Sequence, residues 1–171
     1  MSAEAPFSSS LVENAARLVA ALRDRHFTVA TAESCTGGLL SALITSVPGA
    51  SEVIGTGFVT YADAAKTTLL GVPAELLTQH GAVSPFVAGS MAQGARLKSS
   101  STIGLSTTGI AGPDGGTARK PVGLVYIGLS CANFEPRSFE LRCGDIGRGA
   151  IRLKTIEVAI GHALNICRTL P

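Results

Sequence analysis

The sequence predicts an α/β domain of three layers, with a mixed β-sheet between two layers of helices. Short apolar, β-branched segments alternate with amphipathic segments along the 171 residues, which is the pattern of parallel strands joined by helices. The last two apolar segments have no helix between them, so an antiparallel hairpin is expected within the sheet. This length suits a single domain over residues 1–171, with a core from about 8 to 168.

The first part of the chain predicts two helices and two strands. Ser10 and Glu13 form a capping-box pattern at the start of the first helix, which should end near His26. The other elements predicted here are a strand over 27–32, a helix over 36–46 and a strand over 52–61.

Glycine and proline positions predict three short helices next. Gly71 and Gly81 should end helices over residues 63–70 and 73–80, and Ser84 followed by proline should open a third helix that runs to about Lys98. The remaining predicted elements are strands over 102–107, 122–131 and 137–142 and a long amphipathic helix over about 146–168.

Composition excludes several classes of protein. Hydrophobic residues make up 46% and charged residues 15% of the chain, which is too apolar for a disordered protein. The net charge of +2, without any block of Lys or Arg, does not favour binding to a nucleic-acid backbone. No apolar run approaches the roughly 18 residues of a spanning helix, so we expect a cytoplasmic protein. The scattered cysteines predict neither a zinc site nor a disulfide framework.

Ser34 is the first candidate catalytic residue. It follows a predicted strand in the segment Thr31-Ala-Glu-Ser-Cys-Thr-Gly-Gly38, where a helix N-terminus gathers unpaired N–H groups and positive potential. The amides of Cys35, Thr36 and Gly37 could stabilise an oxyanion there. Cys35 is a competing nucleophile, because a helix N-terminus lowers a thiol pKa. Serine is also a favoured N-cap, so a purely structural role for Ser34 stays open.

A nucleophilic serine needs a base. The three histidines lie at helix ends or within the last helix, and we interpret them as structural. Tyr61 ends the second predicted strand and Lys66 lies on the following helix, which places both near the sheet edge where α/β sites open. A strand-end Tyr and an exposed helical Lys are also ordinary surface features, so both interpretations stay open.

A glycine-rich loop over residues 107–116 follows the third predicted strand. Its N–H groups could bind a phosphate or carboxylate, although it matches neither a dinucleotide-binding fingerprint nor a P-loop. Lys120 beyond the loop and Arg148 near the start of the last helix are candidate anion ligands. The alternative is a plain long connection. No cluster of His, Cys, Asp or Glu has metal-ligand spacing, so no metal cofactor is expected.

Four blocks of sequence carry a family resemblance. In chain order they are AESCTGGLLSALITSVPGAS, GFVTYADAAKTTLLGV, GAVSPFVAGSMAQGA, and STTGIAGPDGG with KPVGLVYIGL. Together they closely resemble the CinA C-terminal domain family, whose enzymatic members are nicotinamide mononucleotide deamidases of the bacterial PncC type. The resemblance covers about Ser8 to Arg168. Longer relatives carry an additional N-terminal domain, so the resemblance implies the stand-alone form.

The resemblance implies hydrolysis of nicotinamide mononucleotide to nicotinic acid mononucleotide and ammonia, in NAD salvage and without a cofactor. Ser34 matches the family's nucleophile, Tyr61 and Lys66 match the groups that activate it, and Arg148 matches a further active-site residue. How Tyr61 and Lys66 divide the proton transfer stays open, as does the part of the substrate that Arg148 contacts. The predicted substrate-binding residues are Glu33, Cys35, Thr36, Gly37, Thr108, Gly109, Ile110, Ala111, Gly112 and Lys120.

Two other functional classes remain as alternatives. One is a nucleotide-binding module without catalysis, and the other is a competence-associated interaction domain. The near-neutral charge and the scarcity of aromatic residues argue against direct contact with DNA. The expected partners are therefore a small nucleotide substrate and a second copy of the chain, in a homodimer formed through helix faces, with no nucleic acid and no membrane.

Overall fold

A computed structural model describes residues 7–170 as a five-stranded sheet with helices on both faces. The strands are β1 (Val29–Glu33), β2 (Ile54–Val59), β3 (Ile103–Gly109), β4 (Leu124–Cys131) and β5 (Arg137–Arg142). The helices are α1 (Ser9–Asp24), α2 (Leu39–Thr45), α3 (Asp63–Leu70), α4 (Ala74–His80), α5 (Pro85–Ser99) and α6 (Arg148–Thr169), and Ala50–Glu52 forms a 3₁₀ turn.

The strand order is β2-β1-β3-β4-β5. β1 lies between β2 and β3 and is parallel to both, whereas β4 is antiparallel to β3 and to β5. This arrangement confirms the predicted mixed sheet and its antiparallel hairpin. The carboxyl ends of β1, β2 and β3 therefore meet at one edge of the sheet.

Two hydrophobic cores hold the three layers together. Helices α1, α2 and α6 pack on one face of the sheet through a large cluster that includes Leu18, Leu43 and Ile156. Helices α3, α4 and α5 cover the other face, where Ala30 and Met91 belong to a smaller cluster. The predicted three-layer α/β/α fold is confirmed.

The start of α1 differs from its prediction. Its N-cap is Ser8, whose hydroxyl accepts a hydrogen bond from the Leu11 amide at 3.4 Å. The capping-box interpretation of Ser10 and Glu13 is therefore wrong by two residues. Phe7, just before the cap, is buried in the core, and this apolar residue sets where the chain enters the helix.

The helix predicted over residues 36–46 begins later, at Leu39. Gly37 and Gly38 adopt φ angles of +59° and +98°, so residues 34–38 form a turn that the helix follows. These left-handed conformations are readily available to glycine and costly for other residues. The strand predicted over 52–61 is also shorter, because Ala50–Glu52 forms the 3₁₀ turn.

Two glycines in the sheet let α5 lie close to it. A Cβ added at Gly104 would overlap the Ala92 carbonyl, and one at Gly128 would overlap the Ala88 carbonyl. This close approach allows the Ser106 hydroxyl to donate to the Ala88 carbonyl at 2.6 Å. Within residues 7–170, no helix has the length and hydropathy needed to cross a membrane.

We expect Gly104→Ala to lower the free energy of unfolding by about 1–3 kcal/mol, the usual cost of overpacking a core. Gly161→Ala is the matched control, since a Cβ at this helical position has no neighbour within 4 Å and should raise stability by about 0.5–1 kcal/mol. Urea denaturation of the two variants measures both values. Equal stability of the two would contradict the close packing of α5.

Candidate active site

The candidate residues come together at the carboxyl edge of the three parallel strands. The Ser34 amide, just after β1, donates to the Thr107 carbonyl on β3 at 2.9 Å. On the other side, the Thr60 amide donates to the Glu33 carbonyl at 2.8 Å. These two bonds fix the ends of β2 and β3 beside Ser34, and Tyr61 follows Thr60 directly.

The buried carboxylate of Glu33 holds the turn that follows β1. Its oxygens accept five hydrogen bonds, from the Thr36 hydroxyl at 2.6 Å, the Gly38 and Leu40 amides at 3.0 and 2.9 Å, and the Ser41 amide and hydroxyl at 2.8 and 2.7 Å. Glu33 thus supplies the cap that Gly38 cannot offer to α2. Since protein donors occupy this carboxylate, its predicted contact with substrate stays a prediction, and its observed role is to shape the turn.

Two backbone amides of the turn over residues 34–38 bond to no other residue. The Gly37 amide, an expected oxyanion donor, instead donates to the Ser34 carbonyl at 3.1 Å. Among residues 7–170, the Thr36 amide finds no acceptor, and the Cys35 amide is bonded only to its own thiol. The Thr36 hydroxyl also lies 2.6 Å from that of Thr107, which links the turn to β3.

The thiol of Cys35 is buried against Ala111, Val125 and Ile151. Burial raises the pKa of Cys35 to about 12, and the hydrogen bond from its own backbone amide and the positive charges of Arg152 and Arg148 offset this only in part. The expectation of a lowered thiol pKa is wrong, because loss of hydration outweighs the helix N-terminus. The thiol is protonated at neutral pH, which favours Ser34 over Cys35 as the nucleophile.

Lys66 is buried, with only 1% of its surface exposed. Its Nζ donates to the Tyr61 carbonyl at 3.0 Å and to a carboxylate oxygen of Asp63 at 3.2 Å. The alternative of an exposed helical lysine is therefore wrong. An amine kept in the interior, at the cost of its hydration, is typical of a functional site.

Lys66 and Ser34 belong to the same side of the sheet. The side chains of Ala30 and Ala32 pack in the core beneath α5, and the alternation of side chains along a strand continues this side to Ser34. Helix α3, which carries Lys66, packs on α5. The Thr60 hydroxyl is buried at this edge and has no partner among the described residues.

Arg148 joins Tyr61 to the glycine-rich loop. One of its terminal nitrogens donates to the Gly112 carbonyl at 2.8 Å, and the other lies 3.3 Å from the Tyr61 hydroxyl. The Tyr61 side chain is 61% exposed, so its ring faces solvent beside this guanidinium. The structure therefore brings Tyr61, Arg148 and Gly112 together.

The rest of the predicted substrate loop is held mainly by the backbone. Ile110 exchanges backbone hydrogen bonds with residues 123 and 124, and a Cβ at Gly109 would contact Val125 at 2.6 Å. The amides of Ala111 and Gly112 have no acceptor within the part of the chain that the structure describes. These two amides are among the loop donors that no protein acceptor uses.

Thr108 and Lys120 contact the segment that leads into α5. The Thr108 hydroxyl donates to the Ala82 carbonyl at 2.9 Å, and Lys120 Nζ donates to the His80 carbonyl at 2.6 Å. In this structure Lys120 therefore ties the loop to the end of α4. Its predicted binding of an anion stays a prediction.

Sequence reasoning missed two charged residues of the site. Asp63 lies three positions before Lys66 and pairs with it, a spacing that places both on one helix face. Arg152 lies one turn after Arg148 on α6, and its terminal nitrogen donates to the Thr36 carbonyl at 2.8 Å. The four-residue spacing between Arg148 and Arg152 is the sequence feature that could have identified Arg152 as part of the site.

The larger cavities lie away from Ser34, Tyr61, Lys66 and Arg148, although Asp63 borders one of about 410 Å³ between α3 and α4. In residues 7–170, no group of three or more His, Cys, Asp or Glu side chains is arranged to hold a metal ion. Two cavities, of about 290 and 550 Å³, both border the β4–β5 turn, one beside the end of α6 and one between α4 and α5. Ser34, Tyr61, Lys66 and Arg148 line neither.

Comparisons with known proteins identify relatives over most of the chain. The model of the CinA C-terminal domain matches residues 12–167. A CinA-like protein of Desulfovibrio desulfuricans is 53% identical over 152 residues, which are 88% of this chain and 35% of the relative. A CinA-like protein of Anaeromyxobacter sp. is 55% identical over 165 residues, 96% of this chain and 39% of the relative. The chain thus spans little more than a third of these curated relatives.

Solved structures share the whole fold. The competence/damage inducible protein CihA from Agrobacterium tumefaciens superposes with a TM-score of 0.91 at 44% identity, over 95% of this chain and 99% of that one. A CinA superfamily protein from Klebsiella pneumoniae gives a TM-score of 0.88 at 29% identity, over 94% and 99%.

The cap provided by Glu33 can be tested by substitution. Glu33→Gln should lower the free energy of unfolding by about 1.5–3 kcal/mol, the usual range for hydrogen bonds to a charged group. The glutamine NH₂ group cannot accept hydrogen bonds from the donors that now bind the carboxylate. The control is Glu52→Gln, which removes an exposed ion pair with Arg23 worth at most about 1 kcal/mol. Urea denaturation measures both, and equal losses would contradict the capping role.

Proposed function

The chain belongs to the CinA C-terminal domain family, and from this premise we propose that it hydrolyses the carboxamide of nicotinamide mononucleotide, yielding nicotinic acid mononucleotide and ammonia in NAD salvage. The observation that carries the proposal is the burial of Lys66, whose Nζ hydrogen-bonds to the Tyr61 backbone just after β2, at the sheet edge where Ser34 follows β1. A serine and a base at one edge are the elements of an acyl-transfer site. The burial of Cys35 supports Ser34 as the nucleophile.

The reaction proceeds in two steps. The Ser34 hydroxyl oxygen bonds to the carboxamide carbon while its proton passes to the base, and the carbonyl oxygen becomes an oxyanion. The carbon–nitrogen bond then breaks, and the nitrogen leaves as ammonia after it has taken up that proton. Water next adds to the resulting ester, and cleavage of the bond to Ser34 releases the carboxylic acid and restores the hydroxyl.

We assign the base to Lys66 and an orienting role to Tyr61. The Nζ of Lys66 lies in the protein interior, where it donates hydrogen bonds to the Tyr61 carbonyl and to Asp63, and lysine is one of the side chains that serve as general bases in active sites. The Tyr61 hydroxyl is engaged by Arg148 and faces solvent. The amides of Cys35 and Thr36, which bond to no other residue, are the proposed donors to the oxyanion.

The phosphate of the nucleotide is the proposed handle for binding. Arg148 retains further N–H groups beyond those that contact Gly112 and Tyr61, and the amides of Ala111 and Gly112 are open beside it. Guanidinium and backbone amides together suit a phosphate. Binding energy from this remote group positions the carboxamide over Ser34.

The activity is tested by ammonia release from nicotinamide mononucleotide. We expect the wild-type protein to release ammonia, Ser34→Ala to release none above background, and Cys35→Ala to keep most of the activity. Loss of ammonia release in Cys35→Ala alone would identify the thiol as the nucleophile. Binding of the nucleotide by wild-type protein without ammonia release would instead favour a non-catalytic nucleotide-binding domain.

The role of Arg148 is tested with two substrates that differ by the phosphate. Arg148→Ala should lower kcat/KM for the mononucleotide about 10–100-fold more than for nicotinamide riboside, since hydrogen bonds to charged groups are worth about 1.5–3 kcal/mol. Arg142→Ala, an exposed arginine paired with Glu140, is the control and should leave both rates unchanged. An equal loss for the two substrates would exclude phosphate binding by Arg148.

A further inference from the structure

Arg152 reaches from α6 to the turn that carries Ser34. Its terminal nitrogen donates to the Thr36 carbonyl at 2.8 Å, in a contact that links positions 116 residues apart. That carbonyl already accepts from the Leu39 amide at 3.2 Å, and the Thr36 side chain is bonded to Glu33 and Thr107. The turn is therefore built without Arg152, and the guanidinium is an additional constraint on it.

Two further observations set Arg152 apart from an ordinary structural arginine. Its Nε is buried and has no partner among residues 7–170, although a buried donor without an acceptor is costly and rare. A Cβ added at Gly37 would lie 3.3 Å from its terminal nitrogen. A side chain at position 37 would therefore press on this guanidinium and require it to shift slightly.

The charge of Arg152 also acts at the site. Its positive field is felt at the neighbouring Cys35 thiol, together with that of Arg148. A negative charge that develops beside Ser34 would experience the same field, and the low-dielectric surroundings strengthen it. Arg148 is exposed at the start of α6 and faces the loop, whereas Arg152 lies partly buried behind the turn.

We propose that Arg152 is a positioning residue for the acyl-transfer step. By holding the Thr36 carbonyl, it fixes the orientation of the turn's backbone. That orientation sets the directions of the Ser34 hydroxyl and of the Cys35 and Thr36 amides. This inference rests on the proposed function. It assigns Arg152 no contact with the substrate, so its loss should lower kcat and leave KM nearly unchanged.

The test uses Arg152→Gln and Arg152→Lys, with Arg168→Gln as the control at an exposed position on the same helix. We expect kcat on nicotinamide mononucleotide to fall about 10²-fold in Arg152→Gln, the scale of a small misplacement of reacting groups. Lysine should restore part of this loss, because it keeps the charge without the planar guanidinium. Arg168→Gln should match the wild type.

A second experiment measures the reactivity of the Ser34 hydroxyl in the absence of the nucleotide. A fluorophosphonate probe phosphonylates an activated serine, as the oxygen–phosphorus bond forms, fluoride leaves and the hydroxyl proton passes to the base. Intact mass should show slower labelling of Ser34 in Arg152→Gln, with denaturation midpoints reporting whether the variant is folded. Gly37→Ala should slow labelling as well. In the double variant Gly37→Ala/Arg152→Gln, the labelling rate should fall by less than the two separate effects combined.

The outcomes separate this inference from the proposed function. Wild-type kcat and labelling rate in folded Arg152→Gln would overturn the positioning role, as would a raised KM at unchanged kcat, which marks a substrate ligand. Slower labelling in the variant, combined with no ammonia release by the wild type, would retain the positioning role and reject the amide substrate. If the wild type shows neither ammonia release nor labelling, both proposals fail.

Discussion

The candidate site depends on one buried carboxylate at the end of β1. Glu33 accepts five hydrogen bonds from the turn and from the first residues of α2, so one side chain ends the strand, shapes the turn and caps the helix. Burying a charge is tolerable only when it is well paired, and here the donors are backbone amides and hydroxyls at a helix N-terminus. Because these donors use both oxygens, Ser34 is held in place by its immediate neighbour.

The surroundings of that turn come from both helical layers. From one side, α3 brings Lys66 to the Tyr61 backbone. From the other side, Arg148 and Arg152 of α6 bind the Gly112 and Thr36 carbonyls. The first turns of α6 thus connect the two segments that flank the site, and movement of α6 would alter both together. Strand β1 pairs with a parallel strand on each side, so the turn follows a strand that is hydrogen-bonded along both edges.

The sequence predicts the elements and the edge where the site lies, but not the environment of each side chain. Helix α3 has the predicted bounds because Gly71 ends it, and strands that run parallel necessarily bring Ser34 and Tyr61 to one edge. The burial of Lys66 and of the Cys35 thiol depends on tertiary packing, and burial reversed the expected direction of the thiol pKa. The contact of Arg152 with Thr36 joins distant parts of the chain, which no local pattern encodes. The expected homodimer stays a prediction.

The proposed reaction passes through an ester on Ser34. Rapid acid quenching of the protein with nicotinamide mononucleotide, followed by peptide mass analysis, measures that ester directly. We predict a mass increase equal to the substrate minus ammonia on the peptide that contains Ser34, absent in Ser34→Ala and kept in Cys35→Ala. Two results would contradict this mechanism. One is ammonia release at full rate, with solvent oxygen incorporated into the product but no adduct at any quench time. The other is an adduct on the Cys35 thiol.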